Sequence, residues 1–184
     1  MKRLLFLLMA AVLTLSSCSN AEKQQDANSC AKLLAENEKL LLSCVTEMEQ
    51  FEKDRIYAAM EPKDGGADRL VSYEKESDDR TEIENDVLEN ALKECGFRLI
   101  FFQTASDSRR CVIFSFAKEK DDGTVCGIYY SYDALPCAWW GRKAELVKKD
   151  GRYLQIDRSG NASYFTLPLS EHFYYFEKFG DLIA

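Results

Sequence analysis

Seven cysteines carry most of the reactive chemistry in this chain: Cys18, Cys30, Cys44, Cys95, Cys111, Cys126 and Cys137. A thiol can bind a metal, attack a substrate or form half of a disulfide, and spacing separates these uses. The shortest gap is 11 residues, from Cys126 to Cys137, no C-x-x-C occurs, and His172 is the one histidine. That pattern does not make a zinc site. A cysteine nucleophile wants a nearby base and a lowered pKa, and no local sequence supplies either. Beyond Cys18 the count is even, which outside the cytosol reads as disulfides. Six cysteines allow fifteen pairings. Cys30 and Cys44 share a helical segment, where 14 residues at about 1.5 Å each separate them by about 21 Å, beyond disulfide reach. The remaining pairings stay open.

Other catalytic sets are missing from the sequence. There is no G-x-S-x-G, no H-E-x-x-H and no phosphate-cradling glycine loop. His172 is followed by Phe173, Tyr174, Tyr175 and Phe176, a setting for a structural histidine rather than a general base. Acids are plentiful, and a pair such as Asp133 and Glu171 would serve a glycosidase-type hydrolase if the fold brought the two within about 5–10 Å. Trp139 and Trp140 are adjacent, with Arg142 just beyond. Neighbours in a strand point to opposite faces, so one indole is expected outside, where it and Arg142 can grip a ligand or a partner protein.

The start of the chain explains Cys18. Lys2 and Arg3 precede an apolar run from Leu4 to Leu15, then "SSC". Charge, apolar run and small residues in that order make a secretory signal. This twelve-residue run, apolar but for Thr14, falls short of the roughly 20 residues that span a bilayer. The stretch "LSSC", residues 15–18, resembles the lipobox of bacterial lipoproteins. That resemblance implies a diacylglyceryl group on the Cys18 sulfur, removal of residues 1–17, and a fatty acyl chain (palmitate) on the new amino terminus. Each buried methylene contributes about 0.8 kcal/mol, and about two chains already give stable attachment. Ser19 stands where the family's inner-membrane retention signal has Asp, which implies the outer membrane in a cell that has one, and the cell membrane otherwise.

Composition narrows the partners. Loss of Lys2 and Arg3 leaves 22 basic against 31 acidic residues, a net charge of −9. Such a chain is a poor phosphate binder, so nucleic acid is not an expected partner, and its overall field does not draw it to anionic headgroups. Membrane attachment then rests on the lipid of Cys18. No metal or cofactor is expected.

The elements that must position these residues follow. Residues 18–29, "CSNAEKQQDANS", read as a lipidated tether, whose 11 residues after the cysteine reach at most about 40 Å. Residues 30–184 read as one domain. From Cys30 to about Met60 two sevenfold series, Leu34/Leu41/Met48 and Cys30/Asn37/Cys44/Phe51, predict a helix packed on the protein's own sheet, capped by Asn28 or Ser29. Residues 61–80, with Pro62, Gly65 and Gly66, read as a solvated acidic loop without calcium-loop spacing. Thr81 and Glu84 form a capping box for a second helix lined by Ile83, Val87, Ala91 and Cys95 and closed by Gly96. Seven aromatic or β-branched segments follow: "FRLIFFQT", "RCVIFSFAK", "TVCGIYYSYD", "AELVKK", "RYLQID", "ASYFTLPL" and "HFYYFEKF". "DDG" at 121–123, Asp150-Gly151 and "RSGN" provide turns. The expected fold class is α+β: two N-terminal helices, then an antiparallel meander of about seven strands.

"GIYYSYD" and "HFYYFEKF" resemble paired motifs of uncharacterised secreted bacterial proteins, in which G-x-Y-Y-S precedes an aromatic cluster followed by Glu; the resemblance implies shared strands. Anchor, tether and compact domain point to a non-catalytic module that binds another protein or an envelope polymer. "WWGRKAEL" is similar to the Trp-basic-Gly stretch of lipoproteins that inhibit lysozyme, which implies an inhibitor or immunity protein as the alternative. An envelope hydrolase using Asp133 or Glu171 is the third reading.

Overall fold

The computed structural model describes residues 26–50, 56–62, 68–74, 79–104, 109–116, 124–139 and 145–179. Cys18 and residues 51–55, with Phe51, therefore lie outside the described residues, as do the turn at 121–123, Trp140 and Arg142. Helix α1 spans Ala27–Glu49 and helix α2 Asp86–Glu94. Ten strands accompany them: β1 Ile56–Glu61, β2 Arg69–Glu74, β3 Arg80–Glu82, β4 Leu99–Thr104, β5 Arg110–Phe116, β6 Val125–Ser131, β7 Leu146–Lys149, β8 Arg152–Ile156, β9 Ala162–Pro168 and β10 Phe173–Lys178. They form one sheet in the order β3-β2-β1-β4-β5-β6-β10-β9-β8-β7, with antiparallel pairing throughout.

The class is α+β, as the sequence implies, but two expectations need correction. The sheet has ten strands rather than about seven, and the helices are not both N-terminal, because β1 to β3 lie between them. Residues expected to finish the first helix form β1, and the expected acidic loop contains β2 and the first residue of β3. All three positions of β3 are exposed, so no apolar alternation marks it. Thr81 lies in β3 instead of capping a helix.

The helices end where side chains satisfy their bare backbone amides. Asp26, rather than Asn28 or Ser29, caps α1 by accepting from Ser29 N at 2.8 Å. Its exposed carboxyl is held below the usual range by hydrogen bonds from Ser29. Asn85 caps α2 through Leu88 N at 3.0 Å, and its amide donates to Glu47 Oε2 on α1 at 2.8 Å, which ties the helices together. The buried stripe of α1 is Cys30, Leu34, Leu41, Cys44, Val45 and Met48. Midway, Asn37 leaves helical geometry (φ −128°, ψ 15°) while its side-chain amide donates to Leu33 O, kinking the rod.

Alternation along the strands divides the buried side chains between two faces. Ala58, Ile100, Phe102, Val112, Phe114, Phe116, Ile128, Phe173 and Tyr175 pack with the helices. Tyr57, Phe101, Ile113, Tyr129, Tyr164, Tyr174 and Phe176 make a second cluster on the opposite face. The β7–β8 turn fits its sequence: Asp150 and Gly151 both take positive φ, 50° and 77°, as a two-residue hairpin loop requires. No described helix is long and apolar enough to cross a membrane.

Candidate functional site

A polar network joins the segment after β6, residues 132–139, to the face opposite the helices. This segment runs as a strap, and side chains of several strands hold its backbone. Cys137 N donates to the Tyr129 hydroxyl at 3.0 Å, and the Tyr164 hydroxyl donates to Cys137 O at 3.0 Å. Two tyrosines thus satisfy both backbone groups of one buried residue. Thr166 Oγ1 lies 2.9 Å from the Tyr129 hydroxyl and 2.7 Å from Tyr175 O. A carbonyl can only accept, so Thr166 gives its proton to Tyr175 O and Tyr129 gives its own to Thr166. The protons of this chain all point one way, from Cys137 to Tyr175.

Further bonds fix both ends of the strap. The Tyr174 hydroxyl donates to Ala134 O at 2.7 Å, where Ala134 takes a positive φ of 56°. Arg109 donates from Nη1 to Pro136 O at 2.7 Å and pairs with Asp133 at 3.4 Å. Ser131 Oγ lies 2.8 Å from Asp133 Oδ1 and 2.6 Å from Leu135 O, sharing one proton between them. Trp139 N donates to Gln155 Oε1 at 3.1 Å. Burial pushes the Tyr129 and Tyr164 phenols well above their ordinary range, and it raises Tyr174 as well. All three stay neutral donors at physiological pH.

The aromatic floor beneath is layered. Tyr129 stacks on Tyr174 with centroids 5.1 Å apart, Tyr57 stacks on Phe101 at 5.0 Å, and Trp139 lies 5.1 Å from Phe176 and 5.9 Å from Tyr164. The half-buried Trp139 lies tilted against the floor, its ring plane 30° from that of Phe176 and 31° from that of Tyr164, with the Lys178 ammonium 5.9 Å from its ring centroid. Leu135, on the same strap, is 47% exposed. Its own backbone is fixed, with the amide donating to Asp133 Oδ1 at 3.1 Å and the carbonyl 2.6 Å from Ser131 Oγ.

His172 has a fastening role. Its Nδ1 lies 2.9 Å from Ser131 O, so that nitrogen carries the proton, and its ring stacks on Tyr130 at 5.3 Å. Ser131 N donates back to His172 O. Asp133 binds Arg109 and Glu171 is exposed. Among the described residues no three His, Cys, Asp or Glu side chains converge to hold a metal ion.

All six cysteines expected to form disulfides are buried, and no disulfide joins them in the structure. Cys111 and Cys137 belong to the strap side of the sheet, whereas Cys30, Cys44, Cys95 and Cys126 belong to the helix side. Burial pushes the Cys30 and Cys44 thiols up to about 12 and Cys95 up to about 11.

Sequence reasoning missed Tyr129, Tyr164, Thr166, Gln155 and Arg109. A faint signal exists in "GIYYSYD", where the twofold strand period puts Tyr129 and Ser131 on one face, ahead of a Pro-Cys loop that needs backbone partners. No family model, curated protein or solved structure matches the chain.

Proposed function

We propose that this chain is a lipid-anchored protein of the bacterial cell envelope, held by an acylated Cys18, and that it acts as a non-catalytic module binding another protein or an envelope polymer. The observation that carries the anchorage is the order of Lys2-Arg3, apolar run and "LSSC". The start of α1 adds a distance. Asp26 caps the helix eight residues after Cys18, so the fold begins no more than about 29 Å from the lipid. A short leash suits a module that meets its partner close to the bilayer. The exposed Leu135 on its pinned strap supports the binding role.

Cys18→Ala is expected to abolish membrane attachment. After detergent phase separation the wild type should enter the detergent phase, with mass spectrometry showing a lipidated residue 18 as its first residue. The variant should stay aqueous. A native chain retaining Met1, or carrying an unmodified thiol at position 18, would overturn the anchorage. For the partner, crosslinking in intact cells should capture a defined envelope component with the wild type, and Leu135→Asp should reduce capture at least tenfold with thermal stability unchanged. Capture of nothing but the chain itself would count against the module.

A further inference from the structure

The sheet sorts the six cysteines by face, and with Cys30–Cys44 out of reach the sorting leaves two sets of pairings, which the neighbours of each thiol separate. Strand β5 alternates, with Val112, Phe114 and Phe116 among the helix-side residues and Cys111 and Ile113 opposite. Cys137 is the other cysteine of the strap side. A disulfide holds its two Cα atoms within about 7 Å and cannot reach through a sheet to side chains on the far face. Cys111 is directly opposite Ser131 in the β5–β6 ladder, and Ser131 Oγ lies 3.7 Å from Cys137 Sγ. These two sulfurs share one small neighbourhood.

Four cysteines remain on the helix side. Cys30 and Cys44 are 14 residues apart on α1, about 21 Å along the axis, so each must look elsewhere. Cys44 Sγ lies 3.6 Å from Val87 O on α2. Val87 and Ala91 lie at fourfold spacing along that helix, and Cys95, one step further, is its C-cap. Cys30, at the opposite end of α1, is fully buried in the helix-side core, and α1 packs on β10, β6 and β4. Cys126 is in β6, opposite Glu177 of β10, and Tyr175 next along that face has both Cys126 and Cys30 as electrostatic neighbours. After burial, the largest influence on the Cys30 thiol is Cys126, and on Cys44 it is Cys95.

We infer that the fold is built for three disulfides, Cys30–Cys126, Cys44–Cys95 and Cys111–Cys137. In the cell this inference rests on the export reading, since the bonds need an oxidising compartment. The oxidant is a protein or small-molecule disulfide. One cysteine thiolate displaces a sulfur from it to give a mixed disulfide, and the second cysteine displaces the oxidant's remaining sulfur. The two protons that the cysteines give up pass to the oxidant's two displaced sulfurs, which carry the electron pair away as thiols. In the folded, reduced chain burial keeps the Cys30, Cys44 and Cys95 thiols protonated, so few thiolates stand there to attack. Oxidation therefore accompanies folding and does not follow it.

The full chain carrying Cys18→Ser, unfolded and reduced, should be refolded in a mixture of oxidised and reduced glutathione. Remaining thiols are then alkylated, and the protein is digested without reduction for mass spectrometry. Linked peptides joining 30 to 126, 44 to 95 and 111 to 137 are expected in at least tenfold excess over any others. A different set, or six alkylated cysteines in the refolded chain, would overturn the inference. The double variant Cys111→Ser with Cys137→Ser separates the faces: it should still form the other two bonds, and a scrambled pair among the remaining four would also overturn the assignment. The same mapping on the chain from its own cells addresses compartment. Alkylated thiols there, with correct pairs in glutathione, would count against export and leave the pairing intact.

Discussion

Replacing Gly127 by alanine is expected to cost the protein about 3–5 kcal/mol, the range of a severe packing fault in a core. Gly127 is in β6, which is paired on one side to β5 and on the other to β10, opposite Ser115 and Phe176 respectively. A Cβ on Gly127 would run into the backbone carbonyl of Phe114 and stand 2.8 Å from Phe176 Cε1 and 3.0 Å from Cζ. The Phe176 ring is fully buried and cannot swing aside. The carbonyl belongs to a strand locked in its own ladder. Relief must come from separating β6 from a neighbour, which breaks hydrogen bonds at the middle of the sheet. Thermal unfolding followed by circular dichroism should show a midpoint lowered by roughly 10 °C. An unchanged midpoint would mean that the ladder between β5 and β6 is wider than described.

Tyr129→Phe is the second large effect, and it acts on the strap. The ring stays, so the stack on Tyr174 is kept, but the hydroxyl that accepts from Cys137 N and donates to Thr166 is lost. A buried N–H is left without its acceptor, which costs about 1–3 kcal/mol. Amide hydrogen exchange should accelerate at Cys137 and Trp139, while protection in α1 and α2 follows only the global loss. Thr166→Val removes the next link in the same chain, so the double variant should lose less than the sum of the single losses. Full additivity would show that Tyr129 and Thr166 act independently.

The chain from Leu99 onward was legible in sequence because its strands are aromatic and β-branched and its turns carry glycine. Asp150-Gly151 adopts the two positive φ values that its residues suggest. The region before α2 was hidden for a physical reason. "IYAAME" continues from a helical pattern and contains two alanines, good helix formers, but β1 is made a strand by pairing with β2 and β4. β3 exposes every residue, so no period could reveal it. The strap network was illegible differently. Whether a tyrosine in an aromatic strand uses its hydroxyl depends on which backbone passes over it, and residues 132–139 cross strands that are distant in sequence. Trp139 attracts notice as a binding residue, whereas the structure sets it against Phe176 and Tyr164 and leaves Leu135 outward.

The strand order also has a consequence in time. β10, the last described strand, sits between β6 and β9 and joins what are otherwise two locally connected sets of strands. A ribosome completes β6 about forty residues before it reaches β10. Until then the nascent polypeptide carries a bare, strongly apolar rim, open to neighbours of its own kind and to holdase chaperones. Loss of only the final strand would leave that rim uncovered for good.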